Sequence, residues 1–163
     1  MVKPIVKGVR HVALYAPAPD ALAEFYETVL GLQIVARSNL SAEAVRSSVF
    51  LNSQSEIASY QLAILANPDI RHTAFEVETL ADLKTFYALI LERELPIRWM
   101  LNHGVSLAFY FHDPADNLIK LYWSTGIDFP QPHGHPIDLT HSEAALRQDI
   151  ANLVAKLNAP KGE

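Results

Sequence analysis

The chain has 163 residues, half of them hydrophobic and 19% charged, with a formal net charge of −5 and no cysteine. A chain of this length can bury roughly 70% of its extended surface, and its charge, spread without long runs of one sign, excludes a disordered tract or a nucleic-acid footprint. Without cysteine there are no disulfide staples, thiolate zinc sites or thiol nucleophiles, so a transition-metal site would have to draw on His, carboxylate, Tyr or water.

The opening MVKPIVKGVRHVALYAP has no long apolar signal region, and no stretch nears the ~20 apolar residues of a membrane span. A soluble, cytoplasmic protein is expected. Residues 9 to 16 mix β-branched and aromatic residues and end at Pro17, which reads as a strand closed by a loop. A helix should follow, with Asp20 as its cap. Leu22, Phe25, Tyr26, Val29 and Leu30 form its apolar face, and Gly31 is its stop. Three short strands are then expected near 32 to 37, 46 to 51 and 59 to 65, separated by clusters of Ser, Asn, Gln and Glu.

The same order returns after Pro68. HTAFEVE is strand-like, Thr79 is a candidate cap, and Leu83, Phe86, Tyr87, Ile90 and Leu91 mark an apolar helical face. Arg98 to Leu101, Ser106 to Phe111 and Asn117 to Trp123 read as three more strands, with His103-Gly104 and Asp113-Pro-Ala-Asp as turns. Each half is therefore βαβββ, and a repeat of this size has to bury its open face against its copy. From Gly126 onward FPQPHGHPIDLT carries three prolines, which oppose regular pairing, so the segment reads as a tail outside the core. Thr140 or Ser142 then caps a last amphipathic helix carrying Leu146, Ile150, Leu153, Val154 and Leu157. Such a helix, marginal alone, should dock on the domain or on a second subunit.

His11 and His72 stand at equivalent places, each near the head of the first strand of its half. A lone strand histidine is ordinarily a satisfied core residue, but the repetition favours a shared cavity. In the last strand Leu118, Lys120 and Tyr122 share one face, while Ile119 and Leu121 share the other. A strand lysine usually marks the solvent face. This one has a leucine and a tyrosine beside it, which points to the cavity side of a cup-shaped sheet.

The His11 strand with its FYETVLGL helix end, the His72-Thr-Ala-Phe strand and NHGVSLAFYFHDPADNLIKLYW together resemble the vicinal oxygen chelate superfamily, over about residues 8 to 125. That superfamily includes glyoxalase I, bleomycin and fosfomycin resistance proteins and type I extradiol dioxygenases, and the last of these branches is nearest. The resemblance implies an α+β fold in which two tandem βαβββ modules, about 8 to 66 and 70 to 125, form a cup-shaped mixed sheet. Residues 1 to 126 then make the domain, and 127 to 163 a Pro/His-rich tail and helix. It implies His11 and His72 as metal ligands, with a glutamate three residues after Asn117 as the third. Lys120 stands there instead. Asp116 replaces the motif's usual glycine, which should affect mainly turn geometry.

A two-His-one-carboxylate face suits Fe(II) because it neutralises charge and leaves positions open. An ammonium reverses that logic, so no cofactor is expected; the alternative is Fe(II) or another divalent metal held with a substitute ligand from His103, His112 or the tail residues His133, His135 and His141. The resemblance further places Tyr60 where a histidine is usual, His103 near a substrate hydroxyl and Tyr110 against a ring oxygen. Tyr60, His103 and Tyr110 are thus candidate ligand-binding residues, and His103, Tyr110 and Lys120 candidate catalytic ones. Without the resemblance, Tyr110 would read as packing between Phe109 and Phe111 and His103 as a loop residue. The expected partner is a small aromatic or oxygen-rich molecule, with no nucleic acid and no membrane, on a homodimer. The alternatives are a metal-dependent ring-cleaving dioxygenase and a non-catalytic protein that sequesters its ligand.

Overall fold

The computed structural model describes residues 4–39, 47–53, 60–131 and 133–158. In chain order these form β1 (Val6–Tyr15), α1 (Pro19–Leu30), β2 (Gln33–Asn39), β3 (Ser47–Asn52), β4 (Leu62–Leu65), a 3-10 turn (Pro68–Ile70), β5 (His72–Val77), α2 (Leu80–Glu92), β6 (Ile97–Asn102), β7 (Ser106–His112), β8 (Leu118–Ser124), β9 (His135–Pro136) and α3 (Glu143–Asn158). Both βαβββ modules are present as expected. Of the segments that the sequence marks as strands, linkers or tail, residues 40–46 and 54–59 and Pro132 lie outside the described residues.

All nine strands join one mixed sheet in the order β2-β3-β4-β1-β5-β8-β7-β6-β9. Within each module the first strand pairs in parallel with the last, β1 with β4 and β5 with β8, and the two modules meet where β1 and β5 run antiparallel. The modules are related by an approximate twofold axis at that seam. Even irregularities repeat: β2 carries a register shift between Ile34 and Ala36, and β6 one between Ile97 and Trp99.

Helices cover one face of the sheet. Gly31 ends α1 in the left-handed conformation, φ 70°, and its N–H bonds the Glu27 carbonyl, as a helix-terminating glycine should. The cap of α1 is Ala18, not Asp20. Pro19 fills the first helical position, where its fixed φ and missing N–H are no cost, and this moves Asp20 into the first turn, where Arg37 bonds it at 3.0 Å. The expected five-residue face of α1 is only half used: Ala23 is buried, with Leu22 and Tyr26 packed beside it, while Phe25, Val29 and Leu30 are 50%, 60% and 62% exposed. A small Ala23 lets the backbone approach the sheet closely and turns the flanking side chains outward. Thr79 caps α2 in a reciprocal capping box with Asp82.

The segment after Gly126 is not outside the core. Phe129, Leu139, Leu146 and Ile150 are buried, the last three within the cluster formed by α2, β5, β7 and β8. The prolines do prevent a long strand, yet His135–Pro136 still adds β9 to the free edge of β6, and an edge position tolerates a residue that cannot donate. The Lys84 ammonium bonds the carbonyls of Leu139 and His141. Ser142 caps α3 through the Ala145 N–H, and α3 docks on its own domain.

Candidate functional site

The face of the sheet opposite the helices carries the chemistry, and the strand registers fix who meets whom. One rung runs His11–Ala74–Lys120–Tyr110–Trp99 across β1, β5, β8, β7 and β6. The twofold axis relates it to a second rung, His72–Ala13–Ala63–Phe50–Ala36. The positions equivalent to Lys120, Tyr110 and Trp99 are thus Ala63, Phe50 and Ala36. Each module places one histidine at the seam, but only the second extends it into a polar wall.

The side chains converge. The Nδ1–H of His72 donates to the Ile70 carbonyl at 2.7 Å, which leaves its Nε2 as an acceptor; the His11 Nε2–H donates to it at 3.1 Å. The Nδ1–H of His103 donates to the His133 carbonyl at 2.5 Å, and the Tyr110 hydroxyl donates to His103 Nε2 at 3.0 Å. Tyr60 packs on His11 with ring centroids 4.6 Å apart, and His72 meets Tyr110 edge-on at 5.5 Å. Lys120 Nζ lies 5.6 Å from the Tyr110 ring and 5.3 Å from that of Tyr122. All six residues marked in the sequence, Tyr60, His11, His72, His103, Tyr110 and Lys120, therefore belong to one cluster.

Burial sets its charge state. His11, Tyr110 and Lys120 are each only 6% exposed. Desolvation, aided by the positive Lys120, pushes His11 down from 6.5 to about 2 and His72 to about 4, the bond to the Ile70 carbonyl opposing the shift of the latter. His103 falls to about 3 for the same two leading reasons. Lys120 itself comes down from 10.5 to about 8 through burial. Burial raises Tyr60 to about 12 and lifts Tyr110 and Tyr122 as well. At neutral pH the cluster is thus a set of neutral rings around one ammonium.

No carboxylate balances that ammonium among the described residues. Glu76, on the same face of β5 two residues beyond Ala74, is held by Arg10 at 2.7 Å and Lys7 at 3.7 Å. Among the described residues the donor set lacks a third ligand for a divalent metal. Two imidazoles face each other with one lone pair between them, the amine of the cluster is cationic, and no group of three His, Asp or Glu among the described residues could hold an ion. The substitute ligands do not assemble either: His103 is engaged at both nitrogens, His112 lines an outer groove, His133 packs on Phe129, and His135 and His141 are exposed.

Within the cluster Lys120, His11 and Tyr110 are buried, while Tyr60, His72, His103 and Tyr122 keep partial exposure. Beside it opens a groove of about 440 Å³, whose lining includes Ala13, His72, Leu118, Arg71, Arg98 and His112. Leu118 sits two residues before Lys120 on the same face, so the groove is the mouth of the cup rather than its floor. Three participants were not named as catalytic or ligand-binding groups from sequence. Tyr122 was legible in the alternation of β8. Trp99, 5.6 Å from Tyr110, and the His133 carbonyl were not, because a register shift and a fold-back of the tail place them.

A family model described as Glyoxalase/Bleomycin resistance protein/Dioxygenase superfamily matches residues 8–121. Biphenyl-2,3-diol 1,2-dioxygenase 2 of Rhodococcus globerulus is 25% identical over 161 residues, covering 86% of this chain and 80% of that protein. Among solved structures, a 2,3-dioxygenase from Pseudomonas sp. KL28 superposes with a TM-score of 0.61 at 20% identity, covering 82% of this chain and 46% of its own. Methylmalonyl-CoA epimerase from Mycobacterium tuberculosis does so with a TM-score of 0.57 at 17% identity, covering 77% of this chain and 93% of its own. The chain thus spans less than half of the matched dioxygenase structure and nearly the whole of the epimerase.

Proposed function

We propose that this chain, which belongs to the Glyoxalase/Bleomycin resistance protein/Dioxygenase superfamily, binds a small phenolic or other oxygen-rich anion in its cup, where Lys120 stands in the place of a metal-ligand glutamate. One observation carries the reading: a buried ammonium with no carboxylate partner among the described residues. An isolated buried cation is costly, and an anionic oxygen at Lys120 would relieve that cost. Tyr60, His103 and Tyr110 would orient the ligand, His11 and His72 would line its other side, and His103, Tyr110 and Lys120 are the groups that would act on it if it turns over. In this reading the modules are about 8 to 66 and 70 to 125, and 127 to 163 is a C-terminal segment that steadies His103. The cytoplasmic homodimer expected from the sequence belongs to the same reading. The exposed Phe25, Val29 and Leu30 favour the dimer, and light scattering checks it.

The test is titration with 4-nitrocatechol, whose ionised form absorbs at longer wavelength. The expected outcome is stoichiometric binding with the bound chromophore ionised at a pH where the free compound is not. Lys120→Gln should weaken it about tenfold to a hundredfold, the worth of a hydrogen bond to a charged group. No spectral change at millimolar ligand would sink the reading, as would about one tightly held iron, manganese or zinc per chain in protein purified without chelators. Lys120→Glu, which restores a two-His-one-carboxylate set, should take up a divalent metal that the parent does not.

A further inference from the structure

Resting on that reading, we propose that Lys120 is also a nucleophile, and that the cup condenses a small aromatic aldehyde onto its amine as a Schiff base. The lysines are not equivalent. Lys7 is paired with Glu76 and Glu78, Lys84 donates to two backbone carbonyls, and Lys156 is exposed near the end of α3. Lys120 alone among the described lysines is buried with no oxygen partner, so it is the one whose surroundings favour the neutral, nucleophilic amine. Burial brings it down to about 8, which leaves a reactive fraction in mildly alkaline solution.

The surroundings select the carbonyl. Tyr110 and Tyr122 flank the amine, Trp99 and Tyr60 extend the same wall, and these ring faces favour a planar aromatic group. A groove with His72 and Leu118 in its lining adjoins the cluster. In the reaction the amine lone pair forms a C–N bond to the carbonyl carbon and the C=O π pair moves to oxygen. Both N–H protons end on that oxygen, which leaves as water, and the C=N bond remains. No oxidant or reductant is consumed. The imine, once protonated, keeps the positive charge that the anion-binding reading requires at this position.

The experiment treats the intact protein with 4-hydroxybenzaldehyde and cyanoborohydride at pH 8, followed by peptide mass mapping. The expected result is a reduced adduct on Lys120 formed at least tenfold faster than on Lys7, Lys84 or Lys156, and slowed at least tenfold by 4-nitrocatechol. Lys120→Arg should abolish that adduct; the protection measured on the unaltered protein makes the test independent of how this variant folds. Nitrocatechol binding without preferential labelling of Lys120 overturns the Schiff-base chemistry and leaves the binding reading standing. Absence of both overturns the two together, and labelling that nitrocatechol does not slow puts the reaction outside the cup and overturns it as well.

Discussion

At Lys120 the folded state holds a cation in a setting that disfavours charge, and the consequence is measurable as stability. Its pKa falls from 10.5 to about 8 on folding, so between those values the unfolded chain binds more protons and stability rises with pH, by about 3 kcal/mol if the whole window is traversed. Below pH 8 both states are protonated and the slope vanishes. The buried tyrosines act in the opposite sense above pH 10, since the unfolded chain ionises first, so the rise belongs to pH 8 to 9.5. Urea denaturation across that range should show it. Lys120→Met should remove it and add roughly 1–4 kcal/mol at pH 7, as hydrophobic replacements of buried ions do. How much of this was readable in advance is itself a residue-scale matter. The alternation of β8 put Lys120 and Tyr122 on one face, but only the registers of five strands bring His11 and Trp99 onto the same rung.

Among the elements, the stretch from Gly126 to Thr140 departs most from its sequence. Its prolines rule out a long strand, and a proline-rich tract with histidines reads naturally as a loose tail. The fold uses it as a strap. Phe129 lies over Gly104, Gln131 donates to the His103 carbonyl at 2.7 Å, and the His133 carbonyl holds the His103 ring. Gly104 has φ +76°, and a Cβ there would fall 2.3 Å from the Phe129 ring. Gly104→Ala should therefore cost about 1–3 kcal/mol, from left-handed strain and overpacking, seen as a lower urea midpoint and weaker protection of the Ile137 amide, which bonds the Met100 carbonyl. Adding Phe129→Ala should cost less than the sum of the single changes, because the two ring contacts at 2.3 and 2.5 Å disappear and only that to the Phe129 Cβ at 2.7 Å is left. The helix faces show the same limit on a smaller scale. Period alone gave α1 five inward residues, and the depth of its docking on Ala23 left Phe25, Val29 and Leu30 outside.

For the molecule as a whole, duplication makes the site and then divides it. Two copies of one module supply His11 and His72 symmetrically, yet Ala36, Phe50 and Ala63 stand where the other copy has Trp99, Tyr110 and Lys120. One half is an apolar wall and the other holds the charge. Three neutral histidines packed around that charge make the fold sensitive to acid. With folded values near 2, 4 and 3 against 6.5 unfolded, the unfolded chain takes up protons first as pH falls below 6.5, so stability is full above that value and is lost on approach to the folded ones. Near-ultraviolet circular dichroism should report loss of packing between pH 6 and 4, and His103→Gln, which can keep a hydrogen bond without titrating, should lessen the stability lost over that interval.

The sequence by itself determined the two βαβββ modules, the seam histidines and a lysine sharing a strand face with Leu118 and Tyr122, because hydrophobic period, turn residues and strand alternation are local signals. The tertiary structure alone decided that the cluster is buried and holds one ammonium with no carboxylate beside it among the described residues, and that the stretch after Gly126 is core and grips His103. Those outcomes depend on strand register and on which groups lose their water. Both are set by contacts between residues far apart in the chain, and no window along it contains them.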